Sequence, residues 1–294
     1  MKLLTAFYDL EHGQVSYDFI TWLVRALMVK AERGCDRLHV VIVPKENGLG
    51  GFSRHWGPHD EHATRWRLWH IVIPACALAG ATVSLAPSHQ WACDLNADSS
   101  RDDGSSWWPE GKAHLAKDLV AAARRGETIP VLCATEAAKR YVSGWLANER
   151  GRVITLTLRR QENDPARNAD REQWNWLRAL LGAKGVRVVW LDDTHLALGE
   201  GRGYAELDID LRLALYERAD LNIVGNNGPA ALLWHSRAAY VRICAGMPAD
   251  WTSNLGLKQG EQLPWARGYQ RLAYQPDTSA AMREEIERWA GAMS

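Results

Sequence analysis

The sequence lacks several features that would assign it to a broad class at once. It has no net charge, because 35 Lys and Arg balance 35 Asp and Glu, whereas dedicated nucleic-acid binders normally carry a basic excess. Its five cysteines form no C-x-x-C pair, which argues against a disulfide framework or a zinc ribbon. Its longest charge-free stretch, 68–93, is interrupted by Pro and Gly, and a spanning helix needs about 20 predominantly apolar residues. We therefore expect a cytoplasmic protein with no transmembrane segment and no nucleic-acid partner.

Motifs of several enzyme classes are missing as well. The chain has no G-x-S-x-G serine motif and no Walker lysine loop, and the glycines of 45–51 do not have the G-x-G-x-x-G spacing. A His-rich patch between His55 and His70 lacks the H-E-x-x-H pattern of zinc sites. Asp208 and Asp210 are expected to cap a helix, a common use of Asp. We expect neither a metal site nor a nicotinamide cofactor.

The pattern that is present is an alternation of strands and helices. Apolar runs such as Leu38–Val43 are typical of buried parallel strands, and segments such as Tyr17–Ala31 have apolar residues at helical spacing. Strands that alternate with helices indicate parallel sheets. Two such series in 294 residues predict an α/β protein of two Rossmann-like domains, 1–150 and 151–294, with parallel sheets facing a central cleft.

One candidate binding segment joins a predicted strand, Leu221–Val224, to a helix that begins at Pro229. Proline suits the first helical position. The amides that follow it are then expected to be free at a positive helix end, which binds phosphate or carboxylate. A plain strand–turn–helix connection also fits these turn-forming residues. The candidate residues are Asn226, Asn227, Gly228, Pro229, Ala230 and Ala231.

A second candidate segment contains Arg159 and Arg160, directly after the predicted strand Val153–Leu158. Ligands of open α/β sheets bind beyond the carboxyl ends of the strands, and Arg can hold a phosphate with two parallel hydrogen bonds. Strand alternation sends the two side chains to opposite sides, so we expect one of them to face a ligand. The alternative is a solvated pair of charges in a loop.

Together the two segments resemble the C-terminal half of GT-B glycosyltransferases, and most of all the heptosyltransferase and fucosyltransferase types. The resemblance covers about residues 150–245. In those families a strand-end Arg and a later Gly-Pro helix start contact the nucleotide diphosphate. The resemblance implies a metal-independent transfer of sugar from a nucleotide-diphosphate sugar, the co-substrate, to a carbohydrate or glycoconjugate acceptor. Arg159 or Arg160 and the segment 226–231 would bind the diphosphate, and no separate cofactor is expected.

The GT-B resemblance also gives a meaning to polar residues of the N-terminal half. Asp9, Glu11 and His12 follow the first predicted strand, and an inverting transferase needs a carboxylate or His to deprotonate the acceptor hydroxyl. An ordinary polar turn is the alternative. Trp107 and Trp108 lie in the polar stretch 88–113, which is predicted to be a long loop. We expect that loop to close over the acceptor.

Two positions differ from the family pattern and keep other functions open. Asn226 stands where the family usually has an acidic residue, and Ala231 stands where it usually has a His. One alternative is therefore a non-catalytic binding or assembly protein with a degenerate donor site. Another is a sugar-nucleotide epimerase, which shares the architecture. A homo-oligomer is compatible with each of these readings.

Overall fold

Strands and helices alternate along the chain in the computed structural model, which describes residues 1–46, 48–49, 51–53, 57–59, 61–101, 105–109, 116–147, 151–159, 168–191, 208–244 and 255–292. The strands are β1 (Leu3–Asp9), β2 (Arg37–Val43), β3 (Gly51–Ser53), β4 (Gly57–His59), β5 (Thr82–Leu85), β6 (Ser106–Trp107), β7 (Val153–Thr157), β8 (Arg187–Leu191), β9 (Leu221–Val224), β10 (Tyr240–Ile243) and β11 (Gln270–Ala273). The helices are α1 (Asp18–Glu32), α2 (Glu61–Arg67), α3 (Ile73–Leu78), α4 (His89–Arg101), α5 (Ala116–Arg124), α6 (Glu136–Trp145), α7 (Arg171–Ala183), α8 (Ile209–Arg218), α9 (Ala230–Trp234) and α10 (Ser279–Ala292), with a π-helical turn, Leu68–Val72, between α2 and α3.

The chain divides into two compact units. The first comprises Met1–Leu119 and Ile129–Leu132, and the second comprises Val120–Thr128 and Cys133–Ser294. Helix α6 belongs to the second unit, where it packs against α8. The division into domains 1–150 and 151–294 stays a prediction.

The first unit is built on a parallel sheet with the strand order β5-β2-β1-β6. Strand β1 is buried over most of its length, because its apolar residues face covered surfaces on both sides. The chain runs from β1 to β2 and β5 on one side and reaches β6 on the other. The carboxyl end of β1 is therefore a topological switch point, where open α/β sheets bind their ligands.

The second unit is built on a parallel sheet with the order β11-β10-β9-β7-β8. Its switch point lies between β7 and β9. Two buried hydrogen bonds hold this region in register: Thr155 Oγ1 donates to Asn222 Oδ1 at 2.6 Å, and the hydroxyls of Thr157 and Tyr216 are 3.0 Å apart. Buried polar groups need such partners. These hydrogen bonds fix the carboxyl ends of β7 and β9, from which the next two segments of the chain begin.

The predicted α/β class with two parallel sheets is confirmed, whereas two sequence predictions are wrong and one strand of the structure has no counterpart among the predictions. The stretch 88–113 is not a long loop, since it contains helix α4 and the short strand β6. The short apolar run Ile129–Cys133 predicts a strand, but in the structure these residues belong to neither a helix nor a strand. Strand β11 was not foreseen. Within the described ranges, no helix has both the length and the apolar character that crossing a membrane requires.

Candidate functional site

The switch point of the second sheet brings together the two segments that the sequence singled out. The amide of Gly225 donates to the carbonyl of Thr157 at 2.9 Å, and Asn227 Nδ2 donates to the same oxygen at 3.3 Å. A Cβ placed on Gly225 would lie 3.7 Å from the backbone nitrogen of Arg159. The connection 225–229 and the end of β7 therefore form one continuous surface.

Arg159 is buried at this surface, with 4% of its area exposed. Its carbonyl accepts a hydrogen bond from the amide of Ala169 at 3.2 Å, which fixes the backbone after β7. A guanidinium in such a low-dielectric setting interacts with an anion far more strongly than one in water does. Arg160 lies outside the described residues, so the expected choice between the two arginines stays a prediction.

The connection between β9 and α9 is mostly buried. Asn226 and Asn227 are 3% and 4% exposed, whereas Gly228 faces solvent. Pro229, Ala230 and Ala231 are buried as well. Among the atoms that the structure describes, Asn227 Oδ1 is a buried acceptor without a hydrogen-bond partner. A buried polar atom of this kind usually has a partner, and a bound ligand with a hydroxyl group would supply one.

The expectation that helix α9 opens with free amides is wrong. The amides of Ala230, Ala231 and Leu232 donate to the carbonyls three residues earlier, at 3.4, 3.0 and 3.1 Å. The reason is that α9 has only five residues and Pro229, not Gly228, occupies its N-cap. The amides of its first turn are already hydrogen-bonded, so an anion that binds here must be held by side chains.

Arg242 is a charged residue of this site that is not among the residues predicted from the sequence. It lies on β10 with 4% of its area exposed. Its Nη2 donates to Asn226 Oδ1 at 3.0 Å, and its guanidinium carbon is 4.6 Å from the centre of the Trp234 ring. Arg242 therefore links β10, α9 and the connection that precedes α9. The sequence does contain a signal for Arg242, because a single arginine interrupts the apolar run Tyr240–Ile243.

Helix α9 is followed by a buried, uncharged histidine. His235 is 1% exposed and stacks on Trp265, with ring centroids 5.6 Å apart. Trp265 Nε1 in turn donates to the Trp234 carbonyl at 2.8 Å. Burial lowers the pKa of His235 to about 3. The ring is therefore neutral near pH 7 and adds no charge to the two buried arginines.

At the switch point of the first sheet, Asp9 ends β1 and is 8% exposed. Its Oδ1 accepts from the Glu11 amide at 2.9 Å, and its carbonyl accepts from the amides of His12 and Gly13. Glu11 and His12 are exposed, and Glu11 Oε1 accepts from the Glu46 amide at 3.3 Å. Of the three candidates for a base, Asp9 is the one held by the fold.

The tryptophan pair also lies at this end of the first sheet. Trp108 stacks on Phe7 with a centroid distance of 4.8 Å and an interplanar angle of 11°. Trp107 stacks on Trp22 at 5.3 Å. Both rings remain partly exposed. They are anchored on the core by β6 and not carried on the predicted loop, and their role toward an acceptor stays a prediction.

Three other polar features of the described residues were candidates for a site: a metal cluster, Asp208 and a surface depression. No three His, Cys, Asp or Glu side chains in the described ranges are arranged to hold a metal ion. Asp208 caps α8 as predicted, since it accepts from the amides of Asp210 and Leu211 at 2.8 and 2.9 Å. A shallow depression lined by Asp220, Arg237 and Tyr269 lies at the amino ends of β9–β11, which is the edge opposite to the switch point.

Comparisons of the sequence with protein-family models and with curated proteins give no match. Solved structures do match. A glycosyl transferase family 9 protein from Veillonella parvula is 10% identical, with a TM-score of 0.52 over 98% of this chain and 97% of that one. Escherichia coli ADP-heptose lps heptosyltransferase II is 14% identical, with a TM-score of 0.50 over 98% of both chains. The iron-containing dodecameric glycosyltransferase TibC of enterotoxigenic E. coli is 13% identical, with a TM-score of 0.50 over 100% of this chain and 77% of that one. The fold is therefore the GT-B type of these glycosyltransferases, as the sequence predicted.

Proposed function

We propose that the protein is a glycosyltransferase that uses a nucleotide-diphosphate sugar. The observation that carries this proposal is the convergence of buried Arg159, buried Arg242 and the connection 225–229 around the switch point of the second sheet. Buried cations attract an anionic diphosphate, and ligands of such sheets bind at this edge. Asn227 Oδ1 offers a buried acceptor for a hydroxyl of the same ligand.

In the proposed reaction, Asp9 removes the proton from a hydroxyl of the acceptor. The acceptor oxygen then forms a bond to the anomeric carbon of the donor sugar. The bond between that carbon and the diphosphate breaks, and the diphosphate leaves with the electron pair. Cationic groups at the donor site stabilise the charge that develops on the leaving group, so we propose that neither a metal ion nor another cofactor is required.

Asp9 is the best of the three candidate bases because its position is the most constrained. A general base must lie within hydrogen-bond reach of the proton that it removes. Asp9 is buried at the end of β1 and accepts a hydrogen bond from the backbone, whereas the side chains of Glu11 and His12 are exposed. Glu11 and His12 are the alternative candidates for the catalytic base.

The acceptor is proposed to be a carbohydrate or glycoconjugate bound next to Trp107 and Trp108, whose partly exposed rings offer flat surfaces. One similar structure, TibC, was solved with ADP-D-β-D-heptose, at 11% identity and a TM-score of 0.51. ADP is for this reason the first nucleotide to test. A cytoplasmic location and a homo-oligomeric state also belong to this proposal.

The donor site is tested by isothermal titration of the protein with ADP, GDP and UDP. We expect one of them to bind, and we expect R159A to weaken binding by about 10- to 100-fold, because hydrogen bonds to charged groups contribute about 1.5–3 kcal/mol. R159K keeps the charge but loses the planar fork, so its loss is expected to be intermediate. R171A removes an exposed arginine of the same unit and serves as the matched control.

The proposal fails if no nucleoside diphosphate binds, or if R159A and R171A bind equally well while both remain folded. Diphosphate binding without release of sugar from ADP-, GDP- or UDP-glucose supports a non-catalytic binding protein instead. Recovery of an isomerised nucleotide sugar supports an epimerase. Analysis of the products therefore separates the two alternatives from a transferase.

A further inference from the structure

His89 lies against the proposed base, although nothing in the sequence pattern singled it out. It is the first residue of α4, and its Nε2 lies 3.5 Å from Asp9 Oδ2. The Asp9 side chain is 8% exposed and that of His89 is 32% exposed. The distance is long for a hydrogen bond, and hydrogen bonds of catalytic groups are often long before the substrate binds.

The other ring nitrogen of His89 also has a partner. Cys93 lies one turn further along α4, and its Sγ is 3.6 Å from His89 Nδ1. A thiol can donate a weak hydrogen bond. When a thiol donates to Nδ1 of the neutral ring, the ring proton lies on Nε2, which is the nitrogen that faces Asp9. The thiol of Cys93 can therefore donate to His89, and His89 can donate to Asp9.

The ring is also confined by an aromatic neighbour. Trp108 contacts the His89 ring at a centroid distance of 5.6 Å and an angle of 60°, and Trp108 itself is stacked on Phe7 in the core. His89 is thus held by its own helix and by the segment that follows β6. Among the described residues, the titratable groups that contact this ring are Asp9 on β1 and Cys93 on α4, and Trp108 adds no charge.

We propose that His89 is a positioning residue for the Asp9 carboxylate, with Cys93 fixing its tautomer. This inference rests on the proposed function, because it concerns the base of that reaction. The Glu11 amide holds Asp9 Oδ1, and His89 fixes the direction of Oδ2. Each carboxylate oxygen can accept more than one hydrogen bond, so both oxygens remain competent toward a substrate hydroxyl. The proton removed from the acceptor ends on Asp9, not on His89.

The geometric part is tested by NMR of protein labelled with ¹⁵N-histidine, at a pH where the ring is neutral. We expect His89 to carry its proton on Nε2 in the wild type. C93A is expected to give a mixture of the two tautomers, and C93S is expected to restore the wild-type pattern. A ring protonated on Nδ1 in the wild type overturns the inference, whether or not the protein is active.

The functional part is tested with H89A and H89Q, by measuring diphosphate release from the ADP-, GDP- or UDP-glucose that matches the tightest-binding diphosphate. We expect H89A to lower kcat by about 10- to 100-fold with little change in KM, because misplacing a catalytic group by about 1 Å costs about 100-fold. Gln can present an N–H near the position of Nε2, so H89Q is expected to recover most of kcat. H62Q, at an exposed histidine of α2, is the matched control.

The difference between H89A and H89Q separates positioning from a merely structural role. A positioning residue is expected to affect kcat and not KM, and an N–H donor at the same place is expected to replace it. Equal losses of kcat in H89A and H89Q overturn the inference. If the wild type binds a diphosphate and turns over while the His89 variants match it, only the inference fails; if the wild type neither binds nor turns over, the proposed function fails with it.

Discussion

The hydrogen bond between Arg242 and Asn226 permits a quantitative test of how the β9–α9 connection is held. The donor and acceptor are 3.0 Å apart, and their residues are 4% and 3% exposed. Hydrogen bonds to charged groups contribute about 1.5–3 kcal/mol, and water does not screen a pair buried to this extent. We therefore expect a coupling free energy of about 2 kcal/mol between the two side chains.

A double-mutant cycle of R242M and N226A measures this coupling. The free energy of unfolding is obtained from urea titrations of the wild type, the two single variants and the double variant. R242M alone is expected to cost about 3 kcal/mol, because it also removes the cation–π contact with Trp234. That contact is absent from both R242M and the double variant, so it cancels in the cycle.

The control cycle combines N226A with R283M, which replaces an exposed arginine of α10. We expect these two substitutions to be additive within about 0.5 kcal/mol. A coupling below about 0.5 kcal/mol between positions 242 and 226 would refute the reasoning that Arg242 anchors the connection. R242M should also weaken the binding of a nucleoside diphosphate, because it leaves Asn226 less constrained.

Two further predictions concern pH and packing. Burial holds the pKa of His235 at about 3, below its ordinary value of 6.5, so on acidification the unfolded state binds a proton that the folded state does not. Stability is therefore lost as the pH falls from about 6.5 toward 3. Between about pH 6 and 4 the wild type is expected to lose about 2–3 kcal/mol more than H235F, and equal losses in urea titrations at the two pH values contradict this. W108A removes the stack on Phe7 and is expected to lower the free energy of unfolding by about 2 kcal/mol, and an unchanged thermal transition would contradict the packing.

Four of the five strands of the sheet that carries the proposed donor site could be predicted from the sequence, and β11 at its edge could not. The short apolar runs Leu221–Val224 and Tyr240–Ile243 predict strands, because they are bounded by turn residues and are too short for a buried helix. The structure has strands at both positions. The position of Arg159 followed from the same logic, since it comes directly after a buried strand. Local sequence patterns were thus enough to predict the position of a residue that depends only on where a strand or helix ends.

The surroundings of the proposed base could not be predicted in this way. Helix α4 has a polar composition, with several residues that favour turns, and it forms because one face packs against β1 and β2. Strand β6 has only two residues and exists through its pairing with β1. His89 and the stacking of Trp108 depend on both elements. These contacts are tertiary, and a single sequence carries no local signal for them.

The central claim, that the switch point of the second sheet binds a nucleoside diphosphate, is tested most directly by a crystal structure of the protein soaked with ADP or with the diphosphate that binds most tightly. We predict density for the diphosphate at the carboxyl ends of β7 and β9, within hydrogen-bond distance of the Arg159 guanidinium and next to the connection 225–229. A diphosphate bound instead in the depression lined by Asp220, Arg237 and Tyr269, or away from Arg159, would contradict the account.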